Sequence, residues 1–269
     1  MDFIYLIDIL VVILGLCIGS FLNCVVYRLE QEKSLAGRSF CPNCRHTLSW
    51  LDLIPVFSYL FLRGKCRYCG KKISIQYPLV EIATGLTFLL IFNFKFIISS
   101  QFLIGQFINL GFLFYVASAL IIIFIYDLKH SLIPESVLIP AIIITLIYNF
   151  SAIGGPASGW QFFISSILAT AASALFFFLL YWLSKERAMG FGDVELVILM
   201  GLLLGWPNIF VALFLAFFFG AIIGLILMAF DKKGLKSQIP FGPFLIGGTF
   251  LALFYGDAII QWYLRLFSI

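Results

Sequence analysis

Long apolar stretches dominate this chain and alternate with short polar segments. Most run for about twenty residues with few charges, the length at which a helix crosses the hydrocarbon core of a bilayer. Because the apolar positions are continuous rather than alternating, the pattern favours spanning helices over a β-barrel. The sequence therefore predicts eight transmembrane helices, over residues 3–27, 78–98, 103–126, 132–150, 160–183, 193–206, 208–230 and 242–264.

One polar segment, residues 28–77, is long enough to form a small domain. It separates a first transmembrane helix, residues 1–27, from a seven-helix membrane domain, residues 78–269. The first charges are Asp2 and Asp8 rather than Lys or Arg, and no small-residue cleavage site follows. We therefore expect the first helix to be retained rather than removed as a signal peptide.

Composition supports the membrane assignment. Hydrophobic residues make up 62% of the 269 positions and charged residues only 11%, against about 25% charged residues in a soluble domain. One soluble core could not hide that much apolar surface from water. The expected fold is an all-α integral membrane protein of about eight transmembrane helices with a small loop domain.

The basic residues predict the orientation, because Lys and Arg are enriched in cytoplasmic loops. We place residues 28–77 on the cytoplasmic side and let each of the eight spans cross the membrane once. Only Lys95 and Arg265 of the 17 basic residues then lie on the opposite side. Basic residues beside a membrane attract anionic lipid, so we expect a lipid bilayer and no nucleic acid as partner. Beyond residues 28–77, the inside set is Lys129, Lys185, Arg187, Lys232, Lys233 and Lys236.

Two aspartates fall at the same membrane level in this topology. Asp127 lies at the inner end of the third span and Asp193 at the inner start of the sixth. Two carboxyl groups that share one proton can hydrolyse an amide, since one activates water while the other donates to the carbonyl. Gly190 and Gly192, in "GFGD", would let the backbone approach closely beside Asp193.

Structural and transport roles for these aspartates stay open at this point. Asp193 could stabilise the dipole of a helix that begins beside it, and Asp127 could pair with Lys129 or lie in the headgroup layer. An ion-coupled transporter could use both carboxylates, although transporters tend to place such groups near the midplane. A membrane-anchored scaffold without activity would leave both aspartate motifs without a purpose.

Two Cys-x-x-Cys pairs, "CPNC" and "CRYC", are separated by 21 residues. This spacing is typical of tetrahedral Zn²⁺ bound by four thiolates in a closed structural site. Disulfides or free thiols are the alternatives, and a reducing cytoplasm disfavours disulfides. The predicted ligands are Cys41, Cys44, Cys66 and Cys69. Residues 28–77 are therefore expected to form a small cytoplasmic, zinc-ribbon-like loop domain.

These motifs resemble those of bifunctional type 4 prepilin peptidases. "GFGD" is similar to the Gly-x-Gly-Asp signature of intramembrane aspartyl proteases. The spacing of five residues between Asp127 and Ile133-Pro134 resembles the other half of the prepilin peptidase pattern. The stretch "IPFGPFL", residues 239–245, resembles the entry to the last span in that family. Glu135 departs from the usual Asp or Asn. Four further stretches resemble the amino-terminal domain of the family, namely "GSFLNCVVYRL", "CPNCRHTLSWLDLIPVFSYL", "RGKCRYCG" and "YPLVE".

The resemblance implies an aspartic endopeptidase of the bacterial cytoplasmic membrane, with its active site facing the cytoplasm. Such enzymes cleave the basic leader from prepilins or pseudopilins and then N-methylate the new terminus with S-adenosylmethionine. It implies catalysis by Asp127 and Asp193, and it makes Glu81 a candidate for methyl transfer. Some members carry Gly-Lys where this chain has Ser74-Ile75, so a peptidase that has lost methylation is the alternative.

Overall fold

The computed structural model describes residues 2–97, 104–151, 158–184, 189–229 and 240–266. Ile239 of the predicted last-span motif lies outside them, as do Lys185, Arg187, Lys232, Lys233 and Lys236. The described chain consists of helices and turns with two isolated β-bridges. Its α-helices are α1 Asp2–Glu30, α2 Phe57–Phe61, α3 Gln76–Ile91, α4 Ile104–His130, α5 Glu135–Ser151, α6 Ser158–Ser184, α7 Phe191–Leu204, α8 Asn208–Ala229 and α9 Gly242–Leu266.

Six of the described helical segments are long and apolar enough to cross a membrane, namely α1, α4, α6, α8, α9 and the 19-residue segment Gln76–Phe94, which contains α3. A π-helical turn, Phe92–Ile97, continues α3. The other two long segments are shorter: α5 has 17 residues and α7 has 14. At 1.5 Å per residue these helices are about 25 and 21 Å long, against a hydrocarbon core of about 30 Å. The all-helical membrane fold is confirmed, and the count of eight spans stays a prediction.

The chain divides into two compact units, Met1–Ile122 and Ile123–Ile269. In the first unit, α1 packs against α3 through glycines. A Cβ on Gly15 would lie 2.7 Å from the Cα of Gly85, and one on Gly19 would lie 2.7 Å from the Cα of Glu81. Small residues allow this close approach, which holds membrane helices together by packing.

Arg28 organises the chain where α1 ends. Its guanidinium is buried and donates hydrogen bonds to the backbone carbonyls of five consecutive residues, 34–38. A buried cation must have its donors satisfied, and here carbonyl oxygens do so. The start of the polar segment is thereby folded back onto the end of α1.

In the second unit, α7 is buried along most of its length and packs against α5, α6 and α9. A Cβ on Gly201 would lie 2.6 Å from the Cα of Thr170 in α6, so only glycine permits this approach. Asn149 of α5 donates to the carbonyl oxygen of Leu202 at 2.7 Å. These contacts hold α7, which carries Asp193, among its neighbours.

Candidate functional site

Asp127 and Asp193 lie on different helices of the second unit, and both are buried. Asp127 lies in the last turn of α4, and Asp193 lies in the first turn of α7. Their carboxyl groups are close enough for their charges to interact. The fold therefore brings together two acids that are 66 residues apart in the chain.

The start of α7 holds the Asp193 carboxylate in place. Gly190 is the N-cap of α7, and the backbone N–H of Asp193 donates to its carbonyl oxygen at 3.2 Å. The Asp193 carboxylate and the backbone N–H of Gly190 are also close enough to interact electrostatically, in the positions of half a capping box. A helix-stabilising role for Asp193 is therefore compatible with a chemical one, because this contact also fixes the orientation of the carboxyl group.

Gly192 is the point where the two aspartate motifs touch. A Cβ on Gly192 would lie 3.0 Å from the Cβ of Ile133, so the Ile-Pro segment after Asp127 packs directly on "GFGD". At Gly190 an added Cβ would meet nothing closer than Asp193 Oδ2, at 3.9 Å. Of the two glycines predicted to shape the site, only Gly192 is required by close contact.

The beginning of α9 completes the surroundings of Asp127. The Asp127 carboxylate lies beside Gly242, since a Cβ on Gly242 would lie 2.5 Å from Asp127 Oδ2. Among the described residues, this Oδ2 atom is buried without a hydrogen-bond partner. A buried polar atom left unpaired is costly, so Oδ2 is available to a water molecule or a substrate group. The sequence pattern marked this helix start but did not reveal its contact with Asp127.

The four cysteines converge in the first unit. Their Sγ atoms lie within 4.8 Å of one another, and the Sγ atoms of Cys41 and Cys69 are 3.9 Å apart. Four thiolates around Zn²⁺ at about 2.3 Å would be separated by about 3.8 Å, whereas a disulfide requires about 2.05 Å. All four are free, and their arrangement suits one metal ion.

The two cysteine turns share one backbone pattern. The N–H of Cys41 donates to the carbonyl oxygen of His46, and that of Cys66 to the carbonyl oxygen of Lys71, both at 2.9 Å. An isolated antiparallel bridge closes each turn, Phe40 with Thr47 and Lys65 with Lys72. Two similar turns thus present four thiol groups to one point.

Asp52 connects these turns to the neighbouring segment. Its carboxylate accepts from the backbone N–H of Ser49 at 3.1 Å and from Nε of Arg67 at 2.7 Å. Burial raises the pKa of Asp52, but the hydrogen bonds from Ser49 and the charge of Arg67 outweigh it and hold the pKa below its ordinary value. The rings of His46 and Tyr68 lie 3.7 Å apart and join the two turns directly.

Glu81 anchors the polar segment to α3. Its buried carboxylate accepts the backbone N–H of Val56 at 2.7 Å through Oε2. On the neighbouring helix, the side chain of Asn23 donates to the carbonyl oxygens of Gly19 and Tyr77. Asn23 Oδ1 is buried without a partner in the described part of the chain. The contact between Glu81 and Val56 was not predicted, because no local pattern marks it.

Comparison with known proteins links both units to one family. The Bacterial Peptidase A24 N-terminal domain matches residues 13–94, and the Type IV leader peptidase family matches residues 114–225. The first match contains the four cysteines and Glu81, and the second contains Asp127 and Asp193. No solved structure matches.

Several curated relatives extend over nearly the whole chain, each a prepilin leader peptidase/N-methyltransferase. The protein of Aeromonas salmonicida is 30% identical, over 95% of this chain and 93% of its own length. That of Legionella pneumophila is 32% identical, over 97% and 95%, and that of Bacillus subtilis is 32% identical, over 94% and 96%. The resemblance of the motifs is thus confirmed across both units, and the chain belongs to the type IV leader peptidase family.

Proposed function

We propose that this protein is a prepilin leader peptidase and N-methyltransferase of the bacterial inner membrane. It cleaves the basic leader from prepilins or pseudopilins at the cytoplasmic face and then methylates the new amino terminus. The observation that carries the proposal is the placement of Asp127 and Asp193 at the ends of two helices, near enough for their charges to interact. Family membership supplies the substrate class.

The aspartate pair would hydrolyse the peptide bond by acid–base catalysis. One carboxylate takes a proton from water, which attacks the scissile carbonyl carbon, while the protonated partner donates to the carbonyl oxygen. The tetrahedral intermediate collapses as a proton passes to the departing amine and the C–N bond breaks. We assign these roles to Asp127 and Asp193 jointly, because coupled carboxyl groups titrate as a pair.

The position of the pair along the helices favours a protease over a transporter. Asp127 lies three residues before the end of α4, and Asp193 is the third residue of α7. Transporter sites lie near the bilayer midplane, whereas a helix end is accessible to a polar leader outside the hydrocarbon layer. The excess of basic residues assigned to the same side supports its placement in the cytoplasm.

A cleavage assay tests the proposal. The purified protein in detergent is incubated with a panel of prepilins and pseudopilins, and mass spectrometry identifies the new amino terminus. We expect one cut that separates the basic leader from the apolar helix. Intact substrates throughout the panel would contradict the peptidase assignment.

S-adenosylmethionine is the methyl donor that the activity in the relatives' name implies. When bound, it would supply a methyl group to the amine released by cleavage. Glu81 and Asn23 fit such a ligand, because Glu81 is a buried carboxylate and Asn23 Oδ1 is a buried acceptor without a partner among the described residues. We propose that these two side chains hold its polar donor groups. A peptidase without methylation remains the alternative, on account of Ser74-Ile75.

Replacing Glu81 with Gln should separate the two activities. We expect the methylated fraction of mature substrate to fall at least about tenfold, because a neutral amide binds a cationic donor more weakly than a carboxylate does. Cleavage should continue, since Asp127 and Asp193 belong to the second unit. Mass spectrometry of the mature amino terminus reports both steps.

The control for this experiment is Glu32→Gln, an exposed carboxylate of the same unit. If Glu81→Gln methylated its product to the wild-type extent, Glu81 would have no role in methyl transfer. An unmethylated product from the wild-type protein would establish the peptidase-only alternative.

Replacing Cys41 and Cys44 with Ser should abolish metal binding. We expect about one zinc ion per wild-type chain and less than about 0.1 in the variant, because two of four thiolate ligands are lost. The polar segment should become more sensitive to protease, since a structural zinc site contributes to folding. Elemental analysis measures the metal content, and part of the cleavage activity should remain.

Cys17→Ser is the matched control, because Cys17 is an exposed cysteine of α1 away from the cluster. It should retain the wild-type zinc content. A wild-type protein purified with no zinc would contradict the metal assignment.

A further inference from the structure

An apolar surface on the polar segment is left uncovered by the described residues. It lies on a 3₁₀-helix, Trp50–Leu53, and on α2, and we call it the 50–61 surface. Phe61 is 83% exposed and Trp50 is 73% exposed. Several large apolar side chains exposed within twelve residues of one another are typical of an interaction site. Its main side chains are Trp50, Leu53, Ile54, Phe57, Leu60 and Phe61.

A hydrogen bond fixes the position of this surface along the axes of α1 and α3. Val56, in its middle, donates its N–H to Glu81 Oε2 at 2.7 Å. Glu81 lies against Gly19 of α1, and α1 continues for eleven more residues to Glu30, about 16 Å at 1.5 Å per residue. The surface therefore lies beside the first turns of α3, on the membrane side of the polar end of α1.

Charge along the segment complements an anionic surface. Arg63 and Lys65 follow Phe61 closely, and both are exposed. Asp52 is the one carboxylate of residues 50–65, and Arg67 neutralises it at 2.7 Å. Aromatic side chains next to Lys and Arg are typical of segments that lie at the boundary between headgroups and acyl chains.

We infer that the 50–61 surface inserts into the interfacial layer of the bilayer. Phe57 and Phe61 lie among the upper acyl chains, and Arg63 and Lys65 contact anionic headgroups. The apolar side chains lie next to the first turns of α3, because Val56 is bonded to Glu81 of that helix. The lipid surface is thus a third attachment of the polar segment, besides its covalent links to α1 and α3, and it keeps the four-cysteine cluster at the membrane.

Photo-crosslinking in vesicles tests this placement. The full-length protein carries p-benzoylphenylalanine in place of Phe61 and is reconstituted in phosphatidylethanolamine and phosphatidylglycerol. Intact-mass spectrometry after irradiation should show a phospholipid adduct, at least about fivefold more abundant than with the same label in place of Asn43. Asn43 is the control because it is exposed in the first cysteine turn, outside the surface.

The remaining outcomes would overturn the inference. A covalent dimer would make the surface an interface between two copies, and a cross-link to added prepilin would make it a substrate site. Equal labelling at the two positions, or no lipid adduct at Phe61, would mean that the surface does not enter the bilayer. A second readout is the share of tryptophan quenching by brominated lipid that is due to Trp50. It is measured as the difference between the wild-type protein and Trp50→Phe, because the chain has four other tryptophans.

Discussion

Replacing either Asp127 or Asp193 with Asn will abolish prepilin cleavage, with kcat/KM falling at least about a thousandfold. Asparagine keeps the shape and one acceptor oxygen of the carboxyl group, but its amide cannot exchange a proton with water or substrate. The fold should persist, because asparagine has the size of aspartate and its amide oxygen can still interact with the N–H of Gly190 at the start of α7. Cleavage of a purified prepilin, followed by mass spectrometry, measures the loss.

Asp257→Asn is the matched control for these variants. This exposed carboxylate lies on α9 and accepts a hydrogen bond from Asn208 at 3.0 Å, so it belongs to the same unit but not to the aspartate pair. It should cleave at the wild-type rate, and circular dichroism should give the same helix content for all three variants. Full activity in either Asp127→Asn or Asp193→Asn would exclude catalysis by the pair.

Gly242→Ala should reduce cleavage at least about a hundredfold, although it adds a single methyl group. That methyl would lie 2.5 Å from Asp127 Oδ2, so either the carboxyl group or the start of α9 must move. A displacement of about 1 Å in a catalytic group can cost about a hundredfold in rate. The same prepilin assay, with substrate saturation, separates the effect on kcat from that on KM.

Gly247→Ala provides the control on the same helix, since an added Cβ there meets nothing within 4 Å. A second comparison lies within "GFGD": Gly192→Ala should impair cleavage through contact with Ile133, and Gly190→Ala should be tolerated. If Gly242→Ala cleaved as fast as Gly247→Ala, the contact between α9 and Asp127 would have no part in positioning the carboxyl group.

The order and type of the main helices could be predicted from the sequence because apolar length is a local property. The two aspartates and the four cysteines could be singled out for the same reason, since each stands in a short motif with fixed spacing. Membrane crossing by α5 and α7 could not be decided in this way. Their apolar runs end at turns, and the helices that form are shorter than the hydrocarbon core is thick.

The sequence by itself determined the membrane class and the family, and it singled out the residues that we propose carry the chemistry, because these depend on composition and on spacing along the chain. Only the tertiary structure decided that Gly192 packs closely on Ile133 and Gly242 on Asp127, whereas Gly190 has no such close neighbour. It also decided that Glu81 accepts a hydrogen bond from Val56. Such distances arise when helices remote in sequence pack against each other. They depend on side-chain shape at each contact, which no local pattern contains.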